Sequence, residues 1–561
     1  MSSNGNNQFS LAISILLFLS ITLLPLTLVG IIASLNYKDN FPITFGEKTL
    51  IPGEPLSTKE EGMKYVKEKK WQQAANSFKE SLKKAPNDPE TRIFLNNAKV
   101  QLNKALPKYT IAVSVPITKN NNDQNNALEI LRGVAQAQDE NNSNESSNRF
   151  LLKVKIASDK NNPEDAKQIA TALAKDSEVL GVVGHYASDV TIAAKSIYES
   201  RELVAITPIS TSICLTKTPL SIKSPICKNQ NYDRSNGSKT YVFRTVPSDT
   251  QTANKLENYI KQNWNEKKVA VFFDSNSDYS KSLKFEFKKA FEEAGGSITE
   301  EFNLYEQNFN PAQSVEEAVE DGAEVLMLAS STNTLEQTKK VVKASAQHEL
   351  KIIAGDDVYT PDILNIGDEA IGMVVAAFWH IDRSNTNNES SKFVNKSKEL
   401  WGGADVNWRT ALAYDATQAL IAAIDRQQTR SGVKEELNLG AFYASGAFGK
   451  IEFEPSGDRK NSPVQLVCVV RKNNNNYEFN ICTYPEQLPK IGILRTNSDG
   501  ENVNIREQCT RKSKVIVSPP SGTEVKITSK PLKQNDGYSW YRVIHDNKEG
   551  CVRDDVITEK K

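Results

Sequence analysis

Neither sign of charge is in excess in this sequence: 69 basic side chains face 69 acidic ones over 561 residues. Nucleic-acid binders gather Lys and Arg into a stripe that neutralises phosphates. No such stripe is present, so nucleic acid is not an expected partner. Signatures of catalysis are missing too. There is no Gly-rich phosphate loop ending in Gly-Lys-Ser/Thr, no Gly-x-Ser-x-Gly elbow, no His-Glu-x-x-His helix and no Cys/His pairing. Histidine is scarce, four in all, and His185 and His380 at strand ends read as structural. Without a reactive constellation or metal-ligand spacing, the chain is expected to bind rather than catalyse, with no cofactor and no metal.

Only one long apolar run occurs. Residues 9–35 carry no charge and, at about 1.5 Å rise per residue, are long enough for a hydrocarbon core of about 30 Å. Residues 1–8 lack the Lys or Arg of a signal peptide, and no Cys follows to accept a lipid. Residues 1–35 therefore read as an uncleaved single-pass transmembrane anchor, a cleaved signal being the alternative. The cysteines decide on which side the rest lies. None of the six has Cys-x-x-Cys spacing, and Cys214 with Cys227, Cys468 with Cys482 and Cys509 with Cys551 each fall within one local unit. Local pairs predict disulfides and an oxidising compartment, so the bulk of the chain is expected on the periplasmic side of the cell membrane. Six buried thiols in a reducing compartment are the rival reading.

Residues 36–56, with Pro42, Pro52, Pro55, Gly46 and Gly53, read as a linker. From 57 to 106 the helical spacing of Tyr65, Ala74, Phe78, Leu82 and Ala85 breaks at Pro86 and Pro89 before another helix, which predicts a small all-α domain. From Tyr109 near-continuous apolar strands alternate with helices in two runs, 109–208 and 267–357. Such text means parallel sheets covered on both faces, hence an α/β architecture of two lobes. The helix at 410–427 returns across them, and Asn-rich tracts at 120–126, 141–148 and 473–476 read as solvated loops. Residues 490–561 change to short strands with turn signals, spaced as a small all-β barrel.

The segments VVGHYASDVTIAAKSIYESRELVAITPISTS (182–212), KVAVFFDSNSDYSKSL (268–283), IIAGDDVYTPDIL (352–364), LAYDATQALIAAI (412–424) and FGKIEFEPSGDR (448–459) occur in that order. Together they resemble type I periplasmic-binding proteins of the branched-chain amino-acid receptor group, over residues 107–487. The pattern around Gly62, Tyr65, Ala74, Phe78, Ala85 and Pro86 resembles a tetratricopeptide repeat. VNIRE (503–507) and GCV (550–552) resemble a bacterial Src-homology-3-like barrel, with Cys551 where that family has Trp. The main resemblance implies a two-lobed receptor, hinged near 243–248, that closes on an amino-acid-like ligand and presents it to an ABC-type permease.

Ligands of open α/β sheets sit beyond the carboxyl ends of strands. Ser188 follows one such strand, where helix N–H groups and its hydroxyl suit a carboxylate, although the same hydroxyl can serve as a cap. By resemblance, Ile209 and Thr211 contact that carboxylate, Ser210 is a substitute donor, Asp356 takes the ligand ammonium and Tyr279 forms the cleft wall. Asp357 is the rival of Asp356. Ser331 and Thr332 stand where an aromatic is common, and NNNDQNN follows the first strand, so a more polar pocket is expected and branched-chain specificity does not carry over. Two other readings use the same fold. One is a cell-envelope regulator of peptidoglycan synthesis, whose barrel binds peptidoglycan or peptides; the other is a sensor acting through a partner.

Overall fold

The computed structural model describes residues 41–560, apart from 144–148, 217–223, 228–239, 349, 383–387, 474–475, 483–489, 497–500, 528–531, 534–536 and 547. The apolar run 9–35 lies outside the described residues, and among those described no helix is long and apolar enough to cross a membrane.

Three helix starts are written in the sequence as Asp-Pro or Asn-Pro. Asp88, Asn162 and Asn310 accept hydrogen bonds from the first N–H groups of helices Pro89–Leu102, Pro163–Lys175 and Pro311–Glu320. The Pro that opens each helix has no N–H to leave unpaired. These helices flank two sheets. Lobe one has six strands in the order Ile43–Thr44, Leu151–Ser158, Lys108–Val115, Val179–Val183, Val204–Thr207 and Val242–Arg244, all neighbours parallel except the first pair. Lobe two has seven, in the order Asn476–Ile481, Gln465–Asn473, Val374–Ala377, Lys351–Ala354, Val325–Ala329, Lys268–Phe273 and Ser297–Asn303. Its first two strands form an antiparallel hairpin on an otherwise parallel sheet.

The chain passes between the lobes three times. It enters lobe two after Arg244, at the expected hinge, and returns after Ala377 to lay helices Asn388–Leu400 and Trp408–Arg426 on lobe one. Beyond Phe453 it crosses again to reach Gln465. Helix Trp408–Arg426 lies so close on Asn121–Ser143 that a Cβ at Gly133 would stand 2.3 Å from the Thr410 carbonyl.

Two loop expectations are corrected. Within the expected linker, Ile43–Thr44 pairs antiparallel with Leu151–Ser158, and Thr49 and Leu50 donate to the buried Glu90 carboxylate at 2.6 and 2.7 Å. The Asn-rich tracts join regular elements because their amides find partners. Asn120 accepts from the Asn122 N–H at 2.8 Å at the start of helix Asn121–Ser143, and Asn142 pairs with both the N–H and the C=O of Leu152. Polar side chains that pair with backbone leave no apolar period to read.

The helices Ser57–Lys67, Trp71–Lys84 and Pro89–Leu102 bury Ala74, Phe78 and Leu82 and share one core with lobe one. Asn97 fastens them: its amide donates to Phe45 O (2.9 Å) and Val154 O (2.7 Å) and accepts from the Val154 N–H (3.0 Å) and Gln138 (2.9 Å). Residues 490–560 form a separate antiparallel sheet around Leu494, Ile505, Val525, Val543 and Val552. Disulfides join Cys214–Cys227, Cys468–Cys482 and Cys509–Cys551, the expected pairs. Asn97→Ala would leave several buried groups unpaired at about 1–3 kcal/mol each. It is expected to lower the urea midpoint of the ligand-free protein; an unchanged midpoint would mean that the helices are not anchored there.

Candidate ligand-binding cleft

Loops at the carboxyl ends of strands face one another across the lobes. Lobe one contributes 184–189 and 208–212, and lobe two contributes 274–279, 330–333 and 355–357, around a narrow cleft with a free volume of about 40 Å³. Of the expected ligand contacts, Ser188, Ile209, Thr211, Tyr279, Ser331 and Asp356 line this cleft. Ser210 does not. Its buried hydroxyl bonds with Thr191 Oγ1 (2.5 Å) and donates to Tyr186 O (3.0 Å), so it builds the turn.

Two of the lining hydroxyls are also engaged within the protein. Ser331 donates to Asp274 at 2.5 Å and accepts from the Asn333 N–H, closing its own turn. Ser188 Oγ accepts from the Ser212 N–H at 3.3 Å and so joins the two lobe-one loops. Ser188 is not the cap of its helix, because Ala187 occupies that position.

Three other polar atoms are uncommitted. Thr211 Oγ1, Tyr279 Oη and Asp356 Oδ1 are buried at the cleft and have no hydrogen-bond partner. Unpaired buried polar atoms are costly, and three of them gathered at one cleft suit a polar ligand. Arg244, itself buried, holds the Thr211 turn by donating to Thr211 O (2.7 Å) and Ser212 O (2.9 Å) while paired with Asp458 at 2.6 Å. Tyr279 reaches its place because position 355 is glycine, where a Cβ would stand 2.2 Å from the phenol oxygen. Burial, then the neighbouring Asp357 and Asp249 carboxylates, pushes the Asp356 carboxyl well above the usual carboxylate range.

Asp357 differs from its neighbour by being fully engaged. Tyr186 Oη of lobe one donates to Oδ1 at 2.8 Å, and the Thr332 N–H and hydroxyl donate to Oδ2 at 3.2 and 3.3 Å. Arg409, in the first turn of the returning helix, lies 4.0 Å from Asp357 and donates to Tyr359 O at 3.1 Å. Asn126 in turn donates to Tyr186 Oη at 2.9 Å. This arrangement fastens the lobes to each other directly. Sequence reasoning missed Tyr186, Asn126 and Arg409. The signal for Arg409 was its position: the dipole of a helix disfavours a cation in the first turn, so an Arg there needs a partner.

The histidines sit in structural roles. His185 bonds to Asp159 (2.6 Å) and Tyr198 (2.9 Å), and His380 donates to Phe479 O (2.9 Å). Among the described residues no three His, Cys, Asp or Glu groups are placed to hold a metal ion.

Behind Thr211 lies Asp249, whose carboxyl is pushed up to about 7, chiefly by burial. The Ser282 and Thr211 hydroxyls lie beside it without reaching full hydrogen-bond geometry. The folded-state value exceeds the unfolded one of about 3.9, so the native state holds this proton more tightly, and stability is lost as pH rises from about 4 through about 7. Asp249→Asn is therefore expected to stabilise the ligand-free protein at pH 8 relative to pH 5.5. Melting curves at the two pH values check this, and equal shifts would place the ionisation elsewhere.

The model of the family described as periplasmic binding protein matches residues 110–475. Leu/Ile/Val-binding protein homolog 1 of Brucella suis biovar 1 (strain 1330) is 24% identical over 360 residues, which are 62% of this chain and 87% of that protein. An ABC transporter substrate-binding protein from Desulfitobacterium hafniense, crystallised in complex with Leu, has a similar fold. Its TM-score is 0.53 at 21% identity, covering 66% of this chain and all of that one. A solute-binding protein of an ABC transporter from R. palustris, in complex with 4-hydroxybenzoate, gives a TM-score of 0.54 at 18% identity, covering 67% of this chain and 96% of that one.

Proposed function

The chain belongs to the periplasmic binding protein family, and from that premise we propose that it is an extracytoplasmic solute receptor. It closes two lobes on a small amino-acid-like molecule and hands it to an ABC-type permease. The observation that carries this reading is the pair of uncommitted buried atoms, Thr211 Oγ1 on lobe one and Asp356 Oδ1 on lobe two, at one cleft. The ligand's carboxylate meets Thr211 and its ammonium meets Asp356. Because the two ends bind opposite lobes, affinity for the closed form exceeds affinity for the open one and drives closure. The proposal includes an anchor at 9–35, supported by its uncharged apolar run, and, supported by resemblance, a tetratricopeptide-like segment on lobe one and a Src-homology-3-like barrel suited to peptidoglycan or peptides.

Asp356→Asn removes a charge-assisted contact and is expected to weaken amine-bearing ligands about 10–100-fold. Titration calorimetry measures it, and undiminished binding would remove Asp356 from the site. Binding by the unmutated protein is expected to strengthen as pH rises, because Asp356 must release a proton held above the ordinary carboxylate range. Failure of the unmutated protein to bind any amine-bearing solute would favour the envelope-regulator reading instead.

Tyr186→Phe acts differently. It deletes the direct bond between lobes without touching the uncommitted atoms. All ligands are expected to weaken alike, by roughly 10-fold. A loss confined to one ligand class would mean that Tyr186 contacts the ligand.

A further inference from the structure

Among the described residues three carboxylates line the cleft, Asp189, Asp356 and Asp357, and no Lys, Arg or His does. Asp357 is answered by Arg409, Tyr186 and Thr332. Asp278, in the lobe-two loop beyond, is paired with Lys281 at 2.8 Å. Asp189 and Asp356 have no ion-pair partner among the described residues, and they sit on opposite lobes. Lys281, whose charge reaches Asp189, is already engaged by Asp278.

From this charge inventory, and resting on the receptor reading above, we propose that the cleft selects a compact organic cation with two amine groups over a neutral zwitterion, with Asp189 as its second anionic contact. Closure brings Asp189 towards Asp356, Asp357 and Asp278, so like charges from the two lobes converge unless a cation lies between them. The anion cradle is correspondingly reduced. At the start of helix Ser188–Ser200, the N–H groups of Asp189 and Val190 already act on the Asp189 carboxyl, and Ser188 Oγ is taken by Ser212. Thr211 Oγ1 remains for at most one carboxylate, while Asp356 Oδ1 and Tyr279 Oη, both buried and unpartnered, face the same space.

Two further observations support this assignment. Burial pushes the Asp189 carboxyl up to about 6, which marks a carboxylate poorly served by solvent. The narrow space of about 40 Å³ favours a short chain over a long one. A metal ion does not fit, since no cluster of three ligating groups exists among the described residues.

The test is titration calorimetry of the full chain in detergent and amine-free buffer with three probes of similar length. These are 2,4-diaminobutyrate, its neutral counterpart norvaline and the carboxylate-free 1,3-diaminopropane. Diaminobutyrate is expected to bind at least about 10-fold tighter than norvaline. Asp189→Asn is expected to bring the two within about 2-fold of each other, chiefly by weakening diaminobutyrate. If the diamine binds tighter than diaminobutyrate, the cation is a free amine; if it binds more weakly, the cation is a basic amino acid. Both results uphold cation selection. Equal or tighter binding of norvaline overturns cation selection and leaves the receptor reading intact. A diaminobutyrate preference that survives Asp189→Asn removes Asp189 from the site. Binding of none of the three removes both proposals.

Discussion

Everything at the cleft follows from the difficulty of keeping a carboxylate charged away from water. Taking such a group out of solvent is tolerable only when donors or a cation surround it. Asp357 meets that condition within the protein, through Tyr186, Thr332 and Arg409. Asp356, one residue earlier, lacks those side-chain partners, although burial raises the proton affinity of both carboxyls. Adjacent identical side chains thus divide into a fastening group and a vacancy for charge, because consecutive residues after a strand point to different surroundings.

The same constraint shapes the frame. Arg244 and Arg409 are each 1% exposed, and both are accommodated by carbonyl oxygens as well as by a carboxylate. Arg244 links the Thr211 turn to Asp458, and Arg409 links the returning helix to the Asp356 loop. The cleft loops are therefore positioned by buried cations set behind them, and among the described residues no cation lines the cleft surface. Hydrophobic burial holds each lobe together, while these polar ties set where the two loop faces stand.

Much of this was legible in the sequence. The apolar strands, their order and the Asx-Pro helix starts follow from patterns that depend only on local chemistry. The cysteine pairs were readable because each closes a short local unit. Thr211, Tyr279 and Asp356 were reachable through the family resemblance of the segments that carry them, and all three line the cleft. Ser210 went wrong because a Ser in a turn looks the same whether it faces ligand or its own backbone. Tyr186 and Asn126 were invisible for another reason: their roles depend on a partner 171 residues away and on one 60 residues away, respectively. The Asn-rich tracts hid helix and strand for the reason given by their amides, which bond to backbone and leave no apolar stripe.

The two ends of the described chain continue from different halves of the molecule. Residues 43–44 and the helices up to Leu102 are tied to lobe one by strand pairing and by Asn97. Residues 490–560 follow, in sequence, the disulfide-closed hairpin Gln465–Ile481, which belongs to lobe two. Any rotation of one lobe against the other carries the N-terminal helices with lobe one, so their position relative to that hairpin would report the rotation at the periphery of the molecule, without access to the cleft.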